Sequence, residues 1–405
     1  MSVGRGVLDA PAATGTEPAR EPAAVPAAGA AAARGAASLP GTGQAPAAGR
    51  LRALAALHAA EADTRRGLAR EVTDAIREDG FARHFVAARF GGAEGTFEDL
   101  TRAVLPVGES CAATAWCASL AAYATRLASH LPEEGHQELW GAGPDTLLAT
   151  GLMPAGRARP AAGGGWRVTG CWAYVSGIAF ADWAVVCAAA AGGDEPAGLR
   201  FFAVPRGAYT VRETWDSVGM RATGSHTVVV DDVFVPRHLS FERAATLTGR
   251  NPTSRVASHN VPFRGVGGLT FVAPVVGAAA GALAACAATL TGRRRSPTAE
   301  LDVVRASGRI DAARHLVEES ARALDRRLFA PRELARNERN AAFAAETLRE
   351  AVTLLVGAAG TSGLGEGHSL QRFWRDVTSA TSHVALQYDT AARENYAAAL
   401  LGPKD

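Results

Sequence analysis

Two short segments hold the residue types best suited to chemistry. Gly170-Cys-Trp-Ala-Tyr-Val-Ser-Gly177 is aromatic and β-branched and ends in a Ser-Gly turn. Gly219-Met-Arg-Ala-Thr-Gly-Ser225 is rich in glycine and hydroxyls and runs into a second strand-like stretch, Thr227 to Val230. If one β-rich region holds both, their hydroxyl-tipped ends can converge on one polar heterocycle. Each also has a plainer reading: Ser176 as a turn serine before Gly177, Thr223 and Ser225 as caps of their own backbone. His383, in Val377-Thr-Ser-Ala-Thr-Ser-His-Val384, is the third candidate. An imidazole titrates near pH ~6.5, so it can deprotonate a phenol or amine, or hydrogen-bond a peroxide. Its plainer reading is a surface or core-satisfied histidine.

The surrounding pattern indicates what must position these groups. Residues 1–50 are Ala, Pro and Gly with few aromatics, which predicts a disordered tail. Residues 51–143 read as an N-terminal helical domain, with helices over Leu51 to Asp79, Phe97 to Val107, Ser110 to Ser129 and Glu133 to Trp140. Residues 144–240 break into short strand-like runs separated by Gly- and Pro-rich turns, the signature of a compact antiparallel β-domain, with no strand after Pro236. Residues 241–405 are helix-forming from about Leu269, interrupted at Gly292, Pro331 and Gly357-Gly367, which suits a bundle. No GxGxxG follows a strand, so a Rossmann cofactor site is not supported.

Composition excludes several classes. Lys and Arg number 42 against 40 Asp and Glu, a formal charge of +2, with no basic stripe to point to nucleic acid. The five cysteines form no CxxC pair and read as small buried residues of a reducing cytosol. No His spacing suggests a metal site. The Val275 to Leu290 stretch is apolar but Ala/Gly-rich and short, so it reads as a buried helix rather than a membrane span.

With its Gly-Cys-Trp-Ala-Tyr-Val-Ser strand and Gly-Met-Arg-Ala-Thr-Gly-Ser loop, the chain resembles the acyl-CoA dehydrogenase superfamily over about residues 51 to 400. The resemblance implies an α+β fold: an N-terminal helical domain, a middle antiparallel β-barrel and a C-terminal four-helix bundle. Trp215-x-x-x-Gly-Met-Arg221 and the Ser176-Gly to Ala181-Asp-Trp183 segment look like one subset, the two-component, reduced-flavin monooxygenases of group D. In many dehydrogenases of this fold a Glu-Gly-Thr follows the C-terminal Arg-Asp and its Glu removes the substrate α-proton. Here Arg375-Asp376 is followed by His383 instead. The group D resemblance implies that His383 faces the substrate.

The same resemblance implies the remaining assignments. Tyr174, Val175, Ser176, Arg221, Thr223, Ser225 and Arg375 would contact reduced FMN or FAD, with Ser176 near flavin N5; Arg375 serves either a flavin phosphate or a structural ion pair. Trp116 would border the substrate or simply pack. A separate NAD(P)H:flavin reductase would supply the flavin, and oxygen would add to give a C4a-hydroperoxide. Ser176 would hold the N5 proton while His383 deprotonates or orients the substrate. Several relatives carry a substrate-binding His about eight residues beyond the equivalent of Trp116; Ala124 stands near that place and the nearest His is His130. This leaves room for a larger polyketide or an amino sugar. The resemblance further implies a cytoplasmic homotetramer, with the Gly277-Ala288 segment permitting close helix packing between subunits. Its alternatives are an N-oxygenase of the same group and an FAD-dependent acyl-CoA dehydrogenase using, for instance, Glu366.

Overall fold

The computed structural model describes residues 43–191 and 198–402. Most of the expected tail lies outside the described residues, but its C-terminal end does not: the first helix, α1 (Ala48–Arg65), begins before residue 50. The helix α2 (Arg70–Glu78) follows. Thr96 caps α3 (Phe97–Ser110) by accepting the Asp99 N–H, one of the donors a helix start leaves unpaired. α4 (Ala112–Ala128) is buried on almost every face, as a helix apolar all round must be. α5 (Glu133–Trp140) starts directly after Pro132.

The chain then forms seven strands: β1 (Leu148–Pro160), β2 (Gly165–Val175), β3 (Trp183–Ala190), β4 (Gly198–Pro205), β5 (Thr210–Arg212), β6 (His226–Pro236) and β7 (Ser240–Glu242). They lie in one sheet in the order β5-β6-β2-β1-β3-β4-β7. The expected all-antiparallel barrel is corrected: β1 and β3 run parallel, and no ladder joins β5 to β7 among the described residues. β1 and β2 pair antiparallel, and the chain then crosses to the free edge of β1, where a third strand has to run parallel. β2 is one continuous strand where two short ones were expected, because Gly170 pairs with Gly156 and carries the ladder through the gap. β7 also corrects the reading that strands stop after Pro236. It is a three-residue edge paired to β4, too short for alternation to reveal.

After α6 (Arg243–Leu247), the helices α7 (Phe263–Leu290), α8 (Pro297–Asp325), α9 (Pro331–Ala359) and α10 (Ser369–Ala380) form the bundle, and α11 (Arg393–Leu401) packs on α9. By length and composition α7 would cross a membrane, yet 67% of its apolar window is buried inside the protein. Its glycines have a use within the chain. A Cβ on Gly277 would lie 2.9 Å from Gly108 Cα, and one on Gly281 would lie 2.4 Å from Glu109 O. The close approach expected at a subunit interface is therefore used between α3 and α7.

The hydrophobic interior has two parts, one among the helices and one under the sheet. α4 belongs to both: Ala112 to Tyr123 pack into the first, Ala124 to Ala128 into the second. Side chains along the seam between the two are packed from both sides.

Candidate active site

On that seam the two hydroxyl-bearing segments meet. Trp116 Nε1 on α4 donates to Ser176 Oγ at 3.2 Å. Ser176 Oγ lies 2.7 Å from Ser225 Oγ, and Ser225 Oγ lies 2.6 Å from Thr223 Oγ1. Thr223 Oγ1 donates to the Met220 carbonyl at 2.9 Å. Gly177 N–H donates to the Thr223 carbonyl at 2.9 Å, stitching strand end to loop.

The direction of this relay follows from proton counting. A hydroxyl has one proton and two lone pairs. The Thr223 proton goes to a carbonyl, which can only accept. Thr223 therefore accepts from Ser225, Ser225 accepts from Ser176, and Ser176 has no proton left to give. One Ser176 lone pair takes the indole N–H, and the other is free. Ser176 thus meets any ligand as an acceptor.

Local backbone places these groups. The β2–β6 ladder shifts register between Trp172 and Val175, a bulge of the kind that re-aims side chains. Tyr174 sits there at φ 63, exposed and edge-on to Trp215 with ring centroids 6.2 Å apart. Met220, at the loop, has φ 53. Such values are uncommon for residues other than glycine and cost on the order of 1–3 kcal/mol. Gly219 is required, since a Cβ there would come within 2.1 Å of the Arg375 carbonyl. The buried Asp376 carboxylate accepts the Met220 N–H at 2.5 Å. Burial, reinforced by Asp63, pushes this carboxyl up to about 7 against the opposing pull of that N–H and of Arg375 and Arg372.

His383 lies across Trp116 from Ser176. Its ring is 3.8 Å from that of Phe271 and 5.9 Å from that of Trp116. Burial pushes its pKa down to about 4, so it is neutral at pH 7. Its Nδ1 accepts the Ala385 N–H at 3.2 Å, which puts the remaining proton on Nε2. Nε2 makes no hydrogen bond among the described residues, so its N–H is available as a donor. Of the two expected roles, this arrangement suits orienting an oxygen better than taking its proton.

Two other expected contacts sit elsewhere. Val175 is fully buried in the sheet's interior, so only its backbone reaches the site. Arg375 gives four of its five N–H donors to Gln371, Asp63 and the Val218 carbonyl, the structural ion pair among its two expected roles, and so ties α1, α10 and the loop together. Arg221 differs: its Nε is buried without a hydrogen bond, 3.8 Å from Asp63. An orphaned donor beside free acceptor capacity fits a ligand with both kinds of group, as the flavin ring has. Ser176, Thr223, Ser225 and Trp116 are brought together; Phe271 and Asp376 were missed. Asp376 could have been found beside Arg375, whereas nothing in an apolar run singles out Phe271.

Beyond Phe271 a small, partly open, largely apolar cavity is lined by Leu120, Ala124, Leu152, Val266 and their neighbours. Ala124 lines it, whereas His130 is not among its lining residues and stacks on Phe241. Cys171 is exposed, against the expectation of five buried cysteines. Glu366 is exposed, and neither it nor any Glu joins the cluster among the described residues.

This fold and site define an acyl-CoA dehydrogenase-like flavoprotein. The family model for the acyl-CoA dehydrogenase C-terminal domain matches residues 269–388. The FADH(2)-dependent resorcinol hydroxylase, oxygenase component, of Rhizobium sp. (strain MTP-10005) is 32% identical, over 82% of this chain and 90% of that protein. The structure of 3-HSA hydroxylase from Rhodococcus sp. RHA1 superposes with a TM-score of 0.83 at 27% identity, covering 88% of this chain and 96% of that one. XiaF from Streptomyces sp., in complex with FADH2 and glycerol, gives 0.81 at 28% identity, covering 87% and 93%. The chain belongs to the oxygenase components of the two-component flavin-dependent monooxygenases. It uses O2 and reduced flavin, FMN or FAD, supplied by a separate reductase, and the dehydrogenase alternative is set aside.

Proposed function

We propose that this oxygenase hydroxylates an aromatic small molecule, with a polyketide-type ring system as the favoured class, and that the hydroxyl relay is its flavin-facing element. The polarity of that relay carries the reading. Bound reduced flavin activates O2 and supplies the oxygen atom. Ser176 accepts the proton-bearing nitrogen of the ring and keeps that proton from leaving, because its own proton is committed to Ser225. Trp116 fixes Ser176 from the other side. Tyr174 and the Val175 backbone border the ring, and Arg221 supplies a donor to it. His383 donates Nε2–H to the substrate oxygen and holds the ring carbon toward the flavin. The apolar wall of Leu120, Val266 and Phe271 excludes water, which would otherwise divert the oxygen to peroxide. The relatives' printed names, resorcinol, indole-3-acetate and p-hydroxyphenylacetate among them, support aromatic hydroxylation. Ala124 in place of a histidine supports a ring system larger than a simple phenol. A cytoplasmic homotetramer in a natural-product pathway completes the reading.

The test places this protein and an NAD(P)H:flavin reductase on opposite sides of a dialysis membrane that passes flavin, with a panel of mono- and polycyclic phenols. The proposal expects hydroxylated product with 18O from O2, favouring polycyclic members. Product confined to monocyclic phenols, or none with peroxide only, would contradict it.

A further inference from the structure

The cavity beyond Phe271 ends on a cation. Arg126, near the end of α4, is 2% exposed and lines this cavity together with Tyr123. Its Nε donates to the Ser258 carbonyl at 2.7 Å, and Nη2 donates to the Val261 carbonyl. Nη1 makes no hydrogen bond among the described residues, nor does the Tyr123 hydroxyl, and no carboxylate pairs with the guanidinium. Its other contact is the Phe97 ring, 5.7 Å from the guanidinium carbon. A buried guanidinium carries a desolvation cost of several kcal/mol that a partner anion ordinarily offsets. Here two carbonyls offset part of it. Burial pulls the Arg126 pKa down only to about 10, so the charge persists at neutral pH.

We propose that Arg126 and Tyr123 form the recognition site for a carboxylate on the substrate, and that the enzyme acts on an aromatic acid. This rests on the oxygenase reading of the same cavity. Arg126 follows Trp116 by ten residues on α4, a helical rise of about 15 Å. The carboxylate therefore sits at the far end from Ser176 and His383, separated from the oxidised carbon by roughly two fused rings. The free Nη1–H and the tyrosine O–H give two charge-assisted donors to one oxyanion. In the present state the cavity holds only about 30 Å³. A substrate enters by displacing the half-buried rim of Leu152 and Phe263, while the buried Arg126 end stays fixed.

The test uses 6-hydroxy-2-naphthoate and its neutral isostere 6-hydroxy-2-naphthamide, titrated into the full chain by calorimetry without flavin. The wild type should bind the carboxylate at least about tenfold more tightly than the amide. Arg126→Gln should erase that preference and leave amide affinity within about threefold. Tyr123→Phe, which keeps the ring and the fold, should weaken carboxylate binding severalfold and leave the amide unchanged. No carboxylate preference in the wild type, absence of carboxylate binding included, overturns the proposal. So does equal loss of both ligands in Arg126→Gln together with an unchanged preference in Tyr123→Phe, which would leave Arg126 a purely structural clamp. Because neither probe needs flavin or oxygen, failure here leaves the oxygenase assignment intact. A correct binding preference without hydroxylation would instead count against that assignment.

Discussion

Two buried polar regions lie along α4 and answer to opposite demands. At one end Trp116, Ser176, Ser225 and Thr223 form a chain in which every proton has a destination and Ser176, at its head, keeps an unspent lone pair. At the other, His130 and His259 lie within the field of Arg126. His259 and Asn251 tie the loop over Asn251 to Asn260 to Phe85 and Ser129, and His84 and His136 are buried on the Thr96 and Ser129 carbonyls. The first region carries no charge and is completed by a ligand. The second carries the Arg126 charge, is only partly satisfied by backbone carbonyls, and depends on its histidines staying neutral. Polarity alone does not mark a site; an unspent lone pair or donor does.

The histidine region should fail first under acid. Burial lowers the pKa of His84 and His130 to about 4 and of His259 to about 3, and it lowers that of His136. Folded values below the unfolded one mean that stability is present above pH ~6.5 and is lost as pH falls through the folded values. Each fully buried histidine contributes on the order of 3 kcal/mol to that loss. Urea unfolding at pH 7.5 and pH 5 should show a steep drop, and equal stability at both would remove the neutral-histidine account.

The ligand-facing region is tested next. His383→Ala should slow hydroxylation about 100-fold, whereas His383→Gln, which keeps an N–H donor, should recover much of that. A base would not be replaced by an amide, so equal loss in the two variants would restore the base reading. With the imidazole neutral, wild-type turnover should show no His383 titration between pH 6 and 8. Thr223→Val leaves the Ser225 proton without its acceptor and lets it turn toward Ser176. Product per flavin oxidised should fall a fewfold, measured as the peroxide released; unchanged coupling would sever Thr223 from the relay.

The smallest effect belongs to Asp376. Its carboxyl is raised to about 7, so it favours the fold below the unfolded carboxyl value and disfavours it as pH rises through 7. Asp376→Asn should raise the melting temperature by a few degrees at pH 8 and by less at pH 5, where only part of the cost has accumulated. A loss at pH 8 would mean that the charge is needed by Arg372 and Arg375.

Much of this was legible in the sequence. The helix start after Pro132, the break at Pro331 and the Gly-Met-Arg-Ala-Thr-Gly-Ser loop follow from turn chemistry. The two hydroxyl-tipped ends could be seen as able to converge, whereas the contact of Ser176 with Ser225 depends on a bulge that alternation does not show. The parallel β1–β3 pair was not legible, because alternation says nothing of which edge a returning strand takes. The tautomer of His383 depends on one backbone N–H at Ala385, and the engagement of Arg375 depends on Asp63 far away in the chain. Arg126 reads as an ordinary helix residue until the fold closes over it. The glycines of α7 signalled a close approach but not which helix makes it.

The central claim is that Ser176 acts as a committed acceptor. Rapid mixing of oxygen with wild type and Ser176→Ala, each loaded with photoreduced flavin and free of substrate, tests it most directly. Absorbance should show a long-lived near-ultraviolet species before oxidised flavin in the wild type. In Ser176→Ala that species should decay about 10- to 100-fold faster, with matching peroxide release. Equal lifetimes in the two proteins would contradict the account.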